Sequence, residues 1–189
     1  MLAKGGFRRS LRGTRVRRSR GAELLEFTFI FLPLLAMTLV LMDTAWAVFV
    51  KATLQYAVRV GVRTGITITG AQATAAGSDL TTMVKGVVQG KALGLLRGTS
   101  GMAKIKVHYF QPPAPGSNAA AVDVSTQSSG NTPLYIMQVS VENFPLAALV
   151  PRIFSWKSGG VDNNATVLTV KAADLIELSR DVPPIGVAP

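Results

Sequence analysis

The chain has 189 residues, a net charge of +10 and no cysteine. That length allows one modest domain plus a membrane anchor, and the missing thiols exclude disulfides, thiolate metal sites and a cysteine nucleophile. Eight of the twenty bases and none of the ten acids fall in residues 1–20; a basic cluster beside an apolar run is explained by positive-inside retention at a membrane more simply than by nucleic acid, so no nucleic-acid partner is expected.

Lys4, Arg8, Arg9, Arg12, Arg15, Arg17, Arg18 and Arg20 form the leader, which stops at Gly21. Glu23 and Glu26 follow, and then Phe27 to Met42 is uncharged. After Asp43 the apolar pattern resumes to Val50, which gives the roughly 20 residues a bilayer-spanning helix needs. Trp46 stands where aromatic anchors sit, and the basic leader holds the N-terminus in the cytoplasm. Pro33 removes one backbone donor, which membrane helices tolerate. Asp43 is read as reaching interfacial water near the outer edge. Glu26, at the inner edge, suits a helix start through the macrodipole. A secretory cut at Ala45-Trp46-Ala47 and a twin-arginine signal at Arg8-Arg9 compete with an uncut anchor. Two carboxylates between the bases and the apolar run weigh against both.

The helix is expected to continue to about Ile68, with Lys51, Gln55, Arg59 and Arg63 as a polar stripe at four-residue spacing. The stripe is most simply a solvated face; the apolar remainder needs cover. Gly70 to Gly77 reads as a small-residue linker. Ser78 or Asp79 caps a second helix running to about Leu96. Gly86, Gly90, Gly94 and Gly98 recur on it every fourth residue. Each interior glycine costs about 1 kcal/mol against alanine, so Gly86, Gly90 and Gly94 are expected to form a packing ridge, against Gly61 and Gly65 of the first helix.

Strands follow. Ile105, Val107 and Tyr109 share one face of the first, and Tyr135, Met137, Val139 and Val141 one face of another. Residues 121–126 suit a short edge strand. Residues 146–154 suit a short amphipathic helix, and Ser158-Gly159-Gly160 a turn. Residues 165–172, apolar on both faces, suit a central strand. The expected fold is α+β: a long N-terminal transmembrane helix, a second helix and a small antiparallel sheet. The domains are a basic cytoplasmic leader (1–21), the transmembrane and extended helix (22–69), and an extracytoplasmic α+β domain (70–189).

Chemistry finds little purchase. His108 is the single histidine, and strand parity puts it with Lys104 and Lys106 away from the core. Asn164-Ala165-Thr166 is a sequon only in form, and Asp174 and Glu177 suit a solvated turn. No nucleotide, hydrolase or dinucleotide fingerprint occurs. Neither catalytic residues, a metal nor a cofactor are expected.

The junction Gly21-Ala22-Glu23-Leu24-Leu25-Glu26-Phe27, the stretch Phe31-Leu32-Pro33-Leu34-Leu35, and Leu54-Gln55-Tyr56-Ala57 with Arg59, Gly61 and Arg63 together resemble TadE-like minor pilins of the tight-adherence pilus. The resemblance spans about residues 18–68. It implies a pilin-like subunit of the bacterial inner membrane, cut between Gly21 and Ala22 by a prepilin peptidase. It also implies assembly with other pilin or minor-pilin subunits, through Glu26 and Phe27. A single-pass membrane-anchored binding module unrelated to pili and an anchored enzyme are the competing readings. Neighbouring genes for an assembly ATPase, a secretin and a prepilin peptidase would favour the pilus. Cleavage is tested by the intact mass of membrane-extracted protein: the expected product begins at Ala22, and a start at Val48 or Met1 contradicts it.

Overall fold

The structure is a computed structural model, and it describes residues 20–113, 116–117, 119–125, 136–146, 167–176, 183 and 185. The chain divides into two compact units, Met1–Leu39 and Val40–Pro189. The elements are α1 (Arg20–Gly65), α2 (Gly70–Ala76), α3 (Leu80–Lys91), α4 (Gly98–Met102), β1 (Ile105–Gln111), β2 (Val122–Asp123), β3 (Ile136–Pro145) and β4 (Val167–Leu175). The arrangement is α+β, as the sequence predicts.

In the first unit, α1 leaves Leu24, Leu25, Phe27, Phe29, Ile30, Leu32 and Leu34 exposed. Pro33 lies inside the helix. Thr28 donates to the Leu24 carbonyl at 2.8 Å and Thr38 to the Leu34 carbonyl at 2.9 Å. Those bonds spend each hydroxyl within the helix, which is what an apolar surrounding requires.

The second unit holds the core. Val50, Leu54, Ala57, Val58 and Val62 of α1 are buried in one cluster with Leu80, Val84 and Val88 of α3 and with the inner sheet face. Lys51, Arg59 and Arg63 are exposed and Gln55 is half-buried, which is the predicted polar stripe. The folded unit thus takes in the second half of α1.

Two helix expectations change. Residues 70–76 are helical, where a linker is expected. Thr69 and Gln72 form a reciprocal capping box, and Gly77 ends the helix at φ 59°; the two caps offset the weak intrinsic drive of so short a segment. In α3, Asp79 caps as expected, accepting from the Thr82 backbone at 3.0 Å and the Thr82 hydroxyl at 2.8 Å. The helix ends at Lys91, however, short of Leu96. Leu93 (φ 50°) and Gly94 (φ 81°) turn the chain. The Gln89 amide holds that turn by donating to the carbonyls of Leu96 at 2.8 Å and Gly98 at 3.1 Å.

The glycine ridge is also corrected. A Cβ on Gly86 or Gly90 would meet nothing within 4 Å, and Gly94 lies beyond the helix. The close approach comes from the other partner. A Cβ on Gly61 would stand 2.3 Å from Val88 Cγ2, and one on Gly65 2.7 Å from both Val84 Cγ2 and Met137 Sδ. Glycines of α1 therefore receive branched side chains of α3, and the two glycine rows do not meet.

The sheet is antiparallel, in the order β2-β1-β3-β4. Ile105, Val107 and Tyr109 of β1 and Met137, Val139 and Val141 of β3 are buried, as their alternation predicts. Between Val141 and Phe144 the β3–β4 register shifts, and Asn143 takes φ 53°, a conformation asparagine tolerates better than most residues. Among the described strands β4 is at the end of the sheet, where a central place is expected. Valine and leucine on both faces of a short run indicate packing without saying how many strands flank it. β2 is the short edge strand expected. The predicted helix at 146–154 and turn at 158–160 lie almost wholly outside the described residues.

Gly61→Ala should lower the melting temperature of the detergent-extracted chain, because Val88 has stiff χ1 freedom and overpacking costs about 1–3 kcal/mol. Gly90→Ala should leave it unchanged or raise it, by up to about 1 kcal/mol of helix propensity. Equal shifts in the two variants would contradict this packing.

Candidate functional site

The residues singled out at the processing and assembly junction lie on the first two turns of α1. Gly21, Ala22, Glu23, Glu26 and Phe27 are all exposed, and a Cβ on Gly21 would meet nothing within 4 Å. Glu23 and Glu26 are three apart, so they share a helix face. Phe27 stacks on Phe31, with ring centroids 5.2 Å apart and planes 14° apart. Trp46 and Phe49 form a second aromatic pair at 5.7 Å, at the other end of the apolar run. Asp43, expected to reach water, is half-buried.

Among the described residues α1 is the one helix long and apolar enough to cross a membrane, with a mean hydropathy of 2.3 in its most apolar window, no part of which is buried. Residues 21–63 match the family model described as TadE-like protein. Over that segment the chain is similar to TadE-like proteins. No curated protein and no solved structure matches. The TadE-like match supports a protein associated with the Tad pilus, and the exposed apolar helix supports a single-pass membrane anchor.

The TadE-like match ends two residues before α1 does, and the polar groups beyond it are knitted into the fold. His108 is not simply solvent-facing. Its Nδ1 lies 3.2 Å from Asp123 Oδ2, across the β1–β2 edge. Asp123 also takes a hydrogen bond from the Ser125 backbone at 2.9 Å and one from the Ser125 hydroxyl. Burial pushes the Asp123 carboxyl up, but the Ser125 bonds and the neighbouring His108 outweigh it and hold the carboxyl below its ordinary range. Serine, aspartate and histidine are thus close together, but the serine hydroxyl is spent on Asp123, and its oxygen accepts from the Tyr109 backbone at 2.8 Å. A nucleophile would need that hydroxyl bonded to the imidazole. The arrangement fastens β2 to β1.

Tyr109 carries the fastening inward. Its hydroxyl is 3.0 Å from Thr81 Oγ1, and Thr81 donates to the carbonyl of Ile185. Ile185 is itself part of the core, so one buried polar chain joins α3, β1 and Ile185. Core-side parity predicts burial of the Tyr109 ring. The signal for the rest was the phenol, which needs a partner once buried. Elsewhere, burial first and the Lys106 charge second push the Lys85 amine down, against the opposing pull of Asp79.

An open groove of about 750 Å³ lies beside Gly86, lined by Thr64, Thr67, Ile68, Gln72, Met83 and Val87. None of these residues titrates, so the groove has no acid, base or metal ligand to offer. No cluster of three or more His, Cys, Asp or Glu suited to a metal occurs among the described residues.

Burial raises the Tyr109 pKa above its ordinary 10.0, while the Thr81 hydrogen bond acts in the other direction. A pKa raised on folding stabilises fully below the unfolded value and is lost as pH climbs toward the folded one. Thermal melts should therefore show stability falling above about pH 10, with a shallower fall in Tyr109→Phe. Equal slopes in the two proteins would place the phenol in contact with water.

Proposed function

We propose that the chain is a minor pilin (pseudopilin), a structural and non-enzymatic subunit in assembly of a tight-adherence pilus. In this reading α1 anchors it in the bacterial inner membrane with the N-terminus in the cytoplasm. A prepilin peptidase cuts between Gly21 and Ala22, and the α+β unit lies outside the cytoplasm. The observation that carries it is the TadE-like match over residues 21–63, on a helix whose Glu26 stands exposed at the mouth of the apolar run.

The physics of Glu26 supports the same reading. After the cut, Glu26 is the fifth residue and Ala22 carries a free α-amino group. Charge in the bilayer is costly: insertion scales give about 2.5–3.5 kcal/mol for an aspartate at mid-membrane. The amine of an adjacent subunit relieves that cost, but only at the right axial offset, since a wrong offset leaves the charge unpaired. Glu26 is then a register device. Glu23, one turn nearer the cytoplasmic headgroups, gains less from a partner.

Glu26→Ala should insert in the membrane but fail to co-purify with pilus components, and Glu23→Ala should be milder. Membrane level and cleavage are scored in the same extracts. Normal incorporation of Glu26→Ala would reject the pairing role.

A further inference from the structure

The second unit has a polarity along α1. Gly61 meets Val88 and Gly65 meets Val84, so α3 runs antiparallel to α1 and its last turn comes back toward Val50. β1 runs the opposite way to α3, because Tyr109, late in the strand, meets Thr81 at the start of the helix. Antiparallel pairing then puts the end of β3 and the start of β4 level with the start of β1. One end of the unit is therefore made of the α3–α4 turn, α4, Lys104, Asn143 and Val167. It is the end at which α1 carries Met42, Trp46, Val48 and Phe49, all exposed.

This near end and the far end differ in charge. Lys51, Lys91 and Arg97 are exposed and Lys104 is half-buried at the near end, against the acids Asp43 and Glu142. Asp79, Asp123 and Asp174 stand at the far end with Arg63, and Arg59, Lys85, Lys106 and Lys171 lie between. Residues 146–166, which leave β3 and enter β4 at the near end, bring two bases, Arg152 and Lys157, and one acid, Asp162. Counting them does not reverse the sign. Glu177, Arg180 and Asp181 follow the far end of β4.

Leu93 sharpens the difference. At 72 % it is the most exposed large apolar side chain described in the second unit, and it sits at φ 50°, where glycine or asparagine is the ordinary choice. The Gln89 amide holds the turn that displays it, and Lys91 and Arg97 flank it in sequence. At the far end the exposed Val122 and Leu175 stand beside Asp123 and Asp174 instead. A leucine between bases suits the boundary of acyl chains and anionic headgroups.

We propose that the α3–α4 turn, with Leu93 between Lys91 and Arg97, docks on the anionic surface of the bilayer that α1 enters. The proposal rests on the reading of α1 as a membrane anchor. A helix so anchored brings the near end of the unit toward the bilayer and turns the far end away. Copies anchored alike all present their acid-bearing far ends away from the membrane, so the far end of a second copy does not meet this turn. A lipid surface is continuous with the anchor's own contact. The turn is then a second foothold, which restricts how the folded unit swings over the membrane.

The chain has no cysteine, so single nitroxide labels can be placed at Leu93→Cys, Val122→Cys and Met37→Cys in the full chain. Each is held one chain to a nanodisc, in discs of phosphatidylcholine alone or mixed equally with phosphatidylglycerol. Collision with oxygen, set against collision with a water-soluble nickel chelate, measures immersion in lipid. Met37 should be immersed in both discs and Val122 in neither. Leu93 should be immersed in the anionic discs. Leaving out phosphatidylglycerol should lower the ratio of its immersed to its aqueous signal by about tenfold or more, as should Lys91→Gln with Arg97→Gln. The lipid comparison leaves the bases in place, so it decides even where that pair perturbs the turn. A Leu93 label as aqueous as the one at Val122, or immersion that is the same with and without phosphatidylglycerol, overturns the docking. Immersion only with several chains in a disc assigns the turn to a second copy and overturns it too. An aqueous Met37 rejects the anchor and the docking together, whereas an immersed Met37 with an aqueous Leu93 removes the docking alone.

Discussion

Everything in the folded unit depends on how near α1 lets its neighbours come. Gly61 and Gly65 are one turn apart, and the space their missing side chains leave is filled by Val88, Val84 and Met137. Those three residues belong to α3 and β3, so the bare patch on α1 fixes both α3 and a central strand. Branched side chains seated against backbone gain dispersion contacts at every atom, and interiors packed in this way resist even a methylene of change. The neighbouring Leu54, Val58 and Val62 then close over the contact. Each large apolar side chain so buried is worth about 1.5–3 kcal/mol.

Polar groups finish what the packing begins. β2 is two residues long, too short to hold by its own ladder bonds. It stays because Val124 donates to the Tyr109 carbonyl at 2.8 Å and the Ser125 hydroxyl oxygen accepts a hydrogen bond from the Tyr109 backbone N–H. The same tyrosine reaches the other way, through Thr81 to Ile185. Among the described residues no buried side-chain nitrogen or oxygen is left without a partner. A satisfied network of this kind adds uniqueness to an apolar core that would otherwise tolerate sliding.

Much of this was legible in the residues. The apolar run, the four-residue polar stripe of α1, the Asp79 cap and the alternation of β1 and β3 are all local patterns, and local patterns survive folding. What was not legible was relational. The glycines of α3 repeat more conspicuously than Gly61 and Gly65, yet spacing cannot say which of two helices supplies the gap and which the side chain that fills it. Short helices depend on their ends, so α2 was hidden in an alanine-rich stretch that the Thr69–Gln72 box and the Gly77 cap make helical. The place of β4 at the end of the described strands depends on strand order, which no single strand encodes. The His108–Asp123 contact joins residues fifteen apart, and only the turn between two strands brings them together.

The helix that anchors the chain is also the helix on which the core is built, and that economy has a mechanical consequence. Up to Phe49 the apolar side chains of α1 face outward; from Val50 onward one stripe of them is buried in the folded unit. The change lies within the second unit, where Val50, Leu54, Ala57, Val58 and Val62 enter the core. Their spacing keeps them on one stripe of a helix with 3.6 residues per turn, so a residue inserted among them would turn those that follow by about 100° away from the core.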